Sequence, residues 1–424
     1  MKKTEKKFDY NIIIIALCFM MVLLGLGLWS AKSLFVVPIT SALGISRSAY
    51  SIADTMRYIS TAVINIFFGY LVGKFGSKKL ICAGFVALTG AAVLYAVANS
   101  VWVFYIGGLL LGIGLSWTST TIVGYVVNKA CKKNRGTIMG FVLAANGIGG
   151  AITAQIVSPF INDTVNPFGY RNAYFLMAGV AAVMFIILLI FYREPKTDEP
   201  EQVQKKARGA GWVGIAYNEA TKKAYFYSAC ICILFTGFVL QGVSSVSAAH
   251  MSDVGLDGKY IATVVSVSSL ALAAFKFING FIYDRKGLRF TITVDCIAAV
   301  ISMGCLLFMK NSVWGMVLAM AYAVLSALSL PLETVMIPIY ANDLFGDKSF
   351  SKVLGIFVSF NQIGYALGAP VINLFYDFTG SYQTSLVICI GLMLAVVVGL
   401  QFIITSAHKE RKRIESSKQE GERI

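Results

Sequence analysis

Residues 69–79 read G-Y-L-V-G-K-F-G-S-K-K, and residues 280–289 read G-F-I-Y-D-R-K-G-L-R. Both stretches are basic and contain several glycines, and each follows a long apolar segment. The second begins 211 positions (280 − 69) after the first, which is half of the 424-residue chain. Both could be ordinary basic turns, but the half-chain spacing favours a protein built from two similar halves.

Composition restricts the class of protein. Hydrophobic residues make up 57% of the chain and charged residues only 13%. A soluble protein of this size could not cover so much apolar surface. The apolar residues lie in long blocks, and about 20 such residues are enough to cross a bilayer as a helix. Because lipid offers no hydrogen-bond partners and the alternation of a membrane β-barrel is missing, we predict an all-α membrane protein.

The apolar blocks predict about twelve transmembrane helices, with the N-terminal run as an uncleaved first span. Their approximate bounds are 11–37, 49–71, 78–97, 101–126, 137–160, 173–192, 225–247, 260–283, 290–309, 313–340, 353–376 and 383–405. One joint, 193–223, is long, polar and charged, and we interpret it as a linker. The predicted organisation is therefore a 1–10 segment, a six-helix half at 11–192, the 193–223 linker, a second half at 224–405 and a 406–424 tail.

The basic residues predict the orientation. Of 36 Lys and Arg residues, four lie in the loops of one side, Arg47, Arg171, Lys259 and Lys310, and most of the others lie in loops or tails of the opposite side. Since cytoplasmic loops are rich in Lys and Arg, both termini are expected in the cytoplasm, with the protein in the cell membrane. The net charge of +15 follows from these short clusters, so we expect the lipid bilayer and no nucleic acid as partner.

The two glycine-rich stretches resemble the signature loop of the major facilitator superfamily, G-x-x-x-D-R-x-G-x-[KR]. The second copy matches at Gly280, Asp284, Arg285 and Gly287. The first matches at Gly69, Lys74 and Gly76, but Gly73 stands where the acidic residue would be. The resemblance implies two six-helix pseudo-repeats with a transport site at the membrane midplane, and a loop that latches the cytoplasmic gate.

Lys32, near the outer end of the first span, is a candidate substrate or proton site. Its context, W-S-A-K-S-L-F, resembles the first helix of monocarboxylate transporters, where a lysine precedes a serine. The alternative is a lysine that extends to the outer interface.

Lys276 lies deep in the eighth span, four residues before Gly280. The monocarboxylate transporters and the related oxalate:formate antiporters carry an arginine at this place, which implies that Lys276 binds substrate. Lysine offers a point charge instead of a two-pronged fork. Leu272 stands where vertebrate-type monocarboxylate transporters have an aspartate, so coupling through that aspartate is not expected.

Four further polar residues in or near spans have two interpretations each. Arg57 either lines the cavity and binds substrate or pairs with Asp54 at i, i+3. Glu333 either carries the coupling proton or pairs with a basic residue across the two halves. Asp295 is predicted to cap a helix or contact a loop. His250 either titrates near neutral pH or is simply an exposed helix-end residue, and we predict the latter.

Cavity cations with few buried acids favour an anionic substrate. We expect a secondary transporter of small organic anions, most specifically monocarboxylates, by proton symport or anion exchange, acting as a monomer. The oxalate:formate antiporters also have a lysine in the eleventh span. The eleventh span of this chain, 353–376, contains no lysine or arginine, which disfavours a dianionic substrate. A neutral-solute or drug exporter and a non-transporting sensor remain alternatives. No residue set suggests an enzyme, a metal site or a cofactor.

Overall fold

The structure is a computed structural model that describes residues 10–130, 135–163, 166–194, 214–346 and 349–421. These residues form helices and connecting turns and contain no β-strand, which confirms the all-α prediction. Ten helical stretches among them are long and apolar enough to cross a membrane. One of these, Gly258–Leu307, is 50 residues long and turns sharply at Gly287, so it crosses twice. With Arg47–Ile66 added, the described helices supply twelve crossings.

The described residues of the first half form nine α-helices. They are α1 (Tyr10–Gly25), α2 (Gly27–Ser30), α3 (Val36–Leu43), α4 (Arg47–Ile66), α5 (Phe68–Val97), α6 (Val101–Ser116), α7 (Thr120–Ala130), α8 (Arg135–Ile161) and α9 (Gly169–Phe191). A 3₁₀ turn, Lys32–Phe35, joins α2 to α3. The first span is therefore longer than predicted and is interrupted twice in the region of Lys32.

In the second half, the part of the chain that the structure describes contains eight α-helices. They are α10 (Tyr217–Ala220), α11 (Ala224–Asp253), α12 (Gly258–Leu307), α13 (Val313–Ser329), α14 (Pro331–Thr334), α15 (Met336–Phe345), α16 (Phe350–Thr379) and α17 (Gln383–Gly421). The predicted linker at 193–223 lies largely outside the described residues. Its last part packs on the second half, where the Ile215 N–H donates to the Phe345 carbonyl at 3.2 Å.

Small residues let the helices of each half approach closely. A side chain at Gly108 or Gly112 of α6 would meet the backbone of α4 at Ala53 or Arg57. In the second half, Gly368 of α16 lies against the backbone of α11. Such small-residue contacts drive helix packing in lipid, where burial of apolar surface gives little advantage. They fix the depth and direction of α4 and α16, which carry residues of the candidate site.

The two glycine-rich stretches contain the same backbone turn. Gly76 has φ 78° and ψ 163°, and Gly287 has φ 77° and ψ 174°. This conformation is essentially restricted to glycine. At the first turn, where Gly73 replaces the expected acid, Glu194 from the end of α9 accepts a hydrogen bond from the Lys78 N–H at 3.3 Å. A carboxylate therefore still lies at the restarting helix N-terminus, where negative charge is favourable.

Two predictions about polar residues in the second half were wrong. Asp295 is fully buried inside α12, because the turn at Gly287 places it two helical turns beyond the loop; it accepts a hydrogen bond from Asn279 at 2.7 Å. His250 is 6% exposed, and its Nε2 lies 2.8 Å from the Leu306 carbonyl oxygen. Packing of α11 against the end of α12 buries this helix-end position.

The left-handed turn can be tested with two glycines of the second stretch. Gly287→Ala should lower the free energy of unfolding by about 1–3 kcal/mol, because alanine is strained in this backbone conformation. Gly280→Ala is the matched control, since a Cβ there meets nothing within 4 Å and the residue is helical. Thermal unfolding in detergent measures both. Equal melting temperatures for the two variants would show that the turn does not depend on glycine.

Candidate functional site

A cavity of about 360 Å³ lies between the two halves. Lys32 and Arg57 line it from the first half, and Lys276 and Glu333 line it from the second. The structure therefore brings together the four residues predicted to bind substrate or protons. Among the described residues, no group of three or more His, Cys, Asp and Glu side chains is arranged to hold a metal ion.

On the first half, two cations share one carboxylate. Lys32 Nζ lies 2.8 Å from Asp54 Oδ2, and Arg57 Nε lies 3.5 Å from Asp54 Oδ1. The second contact is the predicted i, i+3 pair on α4, and Arg57 also lines the cavity. Lys32 makes an ion pair inside the bundle, which differs from the alternative of a lysine reaching the outer interface. One acid cannot neutralise two bases, so this wall keeps a surplus positive charge.

Aromatic rings connect this charged group to the second half. The Tyr58 ring centroid lies 4.2 Å from the Arg57 guanidinium carbon and 5.7 Å from Lys32 Nζ. It is also 5.3 Å from the ring centroid of Tyr365 on α16. Cation–π contacts of this kind stabilise positive charge away from water. The two tyrosines are therefore the physical contact between the cations of one half and Glu333 of the other.

Lys276 stands on α12 as a half-buried cation that faces the cavity. Among the ion pairs of the described residues, none includes Lys276. A cation at bilayer depth costs about 2.5–3.5 kcal/mol on insertion scales, and such residues generally face a partner or a pathway. Lys276 is thus a positive charge available to an anion in the cavity.

Glu333 lies in the short helix α14, which follows a break in the tenth span at Pro331. Its side chain is buried, and the Tyr365 hydroxyl donates a hydrogen bond to Glu333 Oε2 at 3.0 Å. Glu333 Oε1 has no hydrogen-bond partner among the residues that the structure describes. The group beside this carboxyl is a tyrosine and not a basic residue. Among the described residues, Glu333 therefore forms no ion pair across the two halves.

Sequence reasoning found some wall residues and missed others. Polar and aromatic side chains inside the apolar spans are further candidates for lining a pathway, although each such residue more often serves packing; of these, Asn146, Gln241, Gln362 and Tyr365 line the cavity. Trp117, Thr118 and Asn361 do not appear in its wall. The sequence analysis missed Tyr58 and serines of α11 and α12 such as Ser244 and Ser269. It also missed that Asp54 pairs with both Lys32 and Arg57. A serine in an apolar span carries little signal of its own, because it commonly bonds to its own helix.

The signature-loop residues lie away from this cavity. Asp284 and Arg285 are exposed, and the Arg285 guanidinium lies 4.1 Å from the Phe281 ring centroid. Lys74 is exposed and contacts the Tyr70 hydroxyl at 3.4 Å. Gly76 and Gly287 form the turns, and Gly69 and Gly280 lie in the helices before them. The latch function of these loops stays a prediction.

The family model of the Major Facilitator Superfamily matches residues 17–340. The chain belongs to this superfamily. It is 23% identical over 381 residues to YcxA, an MFS-type transporter of Bacillus subtilis (strain 168), covering 87% of this chain and 88% of the relative. It is 24% identical over 339 residues to monocarboxylate transporter 13 of Rattus norvegicus, covering 79% and 74%. It is 20% identical over 278 residues to the sialic acid transporter NanX of Escherichia coli (strain K12), covering 65% and 66%.

Solved structures agree on the fold. The nucleoside transporter NupG superposes with a TM-score of 0.76 at 13% identity, covering 95% of this chain and 100% of that one. A bacterial homolog of the human lysosomal transporter Spinster, in an inward-facing and occupied conformation, superposes with a TM-score of 0.69 at 13% identity, covering 96% and 97%. The major facilitator fold is therefore confirmed. The chain is a multi-pass membrane protein of a transporter family.

The halves of this major facilitator protein are joined by polar contacts at one end of the bundle, which we call the gate face. Arg47 forms a two-pronged ion pair with Asp253, with both N–O distances 2.6 Å, and its guanidinium carbon lies 4.1 Å from the Tyr376 ring centroid. Asp377 accepts from the Ser48 N–H at 3.1 Å. These contacts join the two halves at the start of α4 and the end of α16.

The gate-face contact can be tested with Arg47→Ala. Loss of the fork leaves Asp253 without its cation, and we expect about 2 kcal/mol less stabilisation of the closed face, between the values for exposed and buried pairs. Hydrogen–deuterium exchange by mass spectrometry should then rise in peptides from the start of α4 and the end of α16. Arg171→Ala is the control, because Arg171 bonds within the first half, to Asn99. Unchanged exchange in the Arg47 variant would contradict closure by this contact.

Proposed function

We propose that this protein is a secondary transporter of small organic anions, most specifically monocarboxylates. The observation that carries the proposal is Lys276, a cation that faces a midplane cavity without an ion-pair partner among the described residues. A carboxylate bound beside Lys276 would supply the negative charge that no described residue provides there. The substrate carboxylate therefore pairs with Lys276 when it occupies the cavity.

The opposite wall supports an anion for the same reason. Lys32 and Arg57 share Asp54, so the first half also presents net positive charge to the cavity. A substrate anion between the two walls lowers the repulsion between them. Because the walls belong to different halves, an anion bound to both favours a state in which the halves approach each other.

Transport then follows from alternating access of the two halves around this cavity. In our proposal, the ion pair between Arg47 and Asp253 holds the gate face closed. Breaking those contacts while new ones form at the opposite face would expose the cavity to the other side. In our proposal the gate face is extracellular, and both termini and the signature loops are cytoplasmic, because Lys and Arg are concentrated there. The protein would act in the cell membrane as a monomer.

Glu333 is our candidate for the coupling proton, with Lys32 as a second candidate. Glu333 is buried, receives a hydrogen bond from Tyr365 and keeps one oxygen without a partner. An unpaired carboxylate in such surroundings is costly, and a bound proton removes its charge. Lys32 already has Asp54 as a partner, which makes it less free to exchange a proton. Proton symport would use this site, whereas anion exchange would not require it.

The relatives support the proposal without deciding the substrate. The names of monocarboxylate transporter 13 and of the sialic acid transporter NanX both refer to acids. Other relatives are named for drug resistance, including multidrug resistance protein 2 of Bacillus subtilis (strain 168), 20% identical over 409 residues. The second candidate is therefore an exporter of a neutral solute or drug. Its flux would not depend on Lys276.

The central test replaces Lys276 by glutamine in protein reconstituted into liposomes. Uptake of labelled lactate should fall at least tenfold, since the loss of one charge-assisted contact is worth about 1.5–3 kcal/mol. Lys259→Gln is the matched control, because Lys259 is an exposed residue of the same helix. Lys276→Arg should recover part of the uptake. Full lactate uptake by the glutamine variant would overturn the role of Lys276.

A second test separates proton coupling from anion binding. Glu333→Gln should abolish the acceleration of lactate uptake by an inward proton gradient, because the amide cannot exchange a proton. It should retain exchange of labelled lactate against lactate loaded inside the liposomes. Glu219→Gln serves as the control, since Glu219 is exposed outside the cavity. A gradient response of normal size in the Glu333 variant would exclude this residue as the proton carrier.

A further inference from the structure

The cavity wall contains many neutral hydrogen-bonding side chains besides its charges. The most informative, which we call the polar wall, are Asn146 on α8, Gln241 and Ser244 on α11, Ser268 and Ser269 on α12, and Gln362 on α16. They belong to both halves, as the charged residues do. A binding site for a small carboxylate needs a cation and little else, so this lining calls for an additional ligand chemistry.

Several of these groups lack partners within the protein. Gln362 Oε1 is buried and has no hydrogen-bond partner among the described residues. The same holds for Glu333 Oε1 in the same cavity. Asn146 Oδ1 accepts from the Ser30 hydroxyl at 2.9 Å, and no donation by its amide nitrogen to a described residue occurs. A buried polar group left unpaired costs about 1–3 kcal/mol. Unpaired groups that face one cavity indicate a ligand that donates and accepts several hydrogen bonds.

The polar wall indicates a ligand with several hydroxyl groups. Ser269, Leu272 and Lys276 all line the cavity, and their i, i+3, i+7 spacing places them on one helix face. Because the Lys276 side chain is long and leans toward the N-terminal end of its helix, its ammonium group and Ser269 can hold neighbouring parts of one ligand. A three-carbon acid such as lactate has one hydroxyl group, which is too few to bond to Ser269 and also to the amides of Gln241 and Gln362 on other helices.

We propose that the cavity selects a polyhydroxylated carboxylate, a sugar acid of six or more carbons, over a three-carbon monocarboxylate. This rests on the proposed function, transport of an organic anion through this cavity. The carboxylate binds Lys276, and the hydroxyl groups of the chain bind Ser269 and the amides of Gln241 and Gln362. The cavity volume of about 360 Å³ lies in the range of about 300–1,000 Å³ that is usual for ligands larger than lactate.

The specificity has a direct physical basis. A site built to hydrogen-bond hydroxyl groups rejects a ligand that lacks them, because its buried polar groups then stay unpaired. Lactate satisfies Lys276 but leaves most of the polar wall without partners. Glucose satisfies the polar wall but leaves Lys276 without an anion. Only a ligand with both chemical features meets both demands.

The experiment compares three labelled solutes in liposomes that contain the purified full-length protein. Gluconate carries a carboxylate and hydroxyl groups, lactate carries a carboxylate with one hydroxyl, and glucose is uncharged. We expect a KM for gluconate at least tenfold lower than for lactate, and no saturable uptake of glucose. Equal KM values for gluconate and lactate would overturn the sugar-acid inference and leave the anion proposal standing.

Substitutions in the polar wall test whether these amides carry the preference. Gln241→Leu and Gln362→Leu should each reduce the ratio of lactate KM to gluconate KM about five- to tenfold, as expected for the loss of one hydrogen bond of about 1 kcal/mol. The ratio is the readout because poor insertion or folding lowers the maximal rate for both solutes alike. Gln155→Leu is the matched control, since Gln155 is exposed outside the cavity. An unchanged ratio in both wall variants would refute the assignment.

The remaining outcomes are also decisive. Saturable glucose uptake as efficient as gluconate uptake, and insensitive to Lys276→Gln, would overturn both the inference and the anion proposal in favour of a neutral-solute carrier. A protein that unfolds cooperatively in detergent but moves none of the three solutes would refute both as well.

Discussion

An unpaired charge inside an apolar bundle is the constraint on which the polar structure of this protein depends. Each buried ionisable group must find a counter-charge, a hydrogen bond or a ligand, because lipid provides none. Lys32 and Arg57 use Asp54, Arg47 uses Asp253, and Glu333 uses Tyr365. Lys276 has no such partner among the described ion pairs, and this difference is the physical basis for assigning it to substrate.

The same contacts connect the halves. From Lys32 through Asp54, Arg57 and Tyr58, a chain of neighbouring groups reaches Tyr365 and then Glu333 on the other half. In our proposal, a proton on Glu333 and an anion beside Lys276 favour the same arrangement of the two halves through this chain of contacts. The gate face, held by Arg47 and Asp377, is the element whose closure such an arrangement would alter.

The internal repeat is preserved more faithfully in backbone than in chemistry. Gly76 and Gly287 share a rare left-handed conformation at the same half-chain offset, although the acidic residue of the second copy has no counterpart at Gly73. In the first half, Glu194, three residues after the end of α9, accepts hydrogen bonds from Ser77 and Lys78 at this turn. In the first copy, a carboxylate from outside the signature loop thus supplies the negative charge at the restarting helix N-terminus.

The sequence alone determined the helical class, the twelve crossings and the two turns, because apolar run length and glycine spacing are local properties of the chain. It also placed Lys276, Lys32, Arg57 and Glu333 in spans, where charge is rare enough to be conspicuous. Only the tertiary structure decided which groups meet. Contacts between different transmembrane segments make up the site and bury its neighbours. They are the Lys32–Asp54 pair, the hydrogen bonds of His250 and Asp295, and the Glu333–Tyr365 hydrogen bond. Helix periodicity determines the face that a side chain occupies, but the neighbour on that face depends on how the helices pack, which no local pattern encodes.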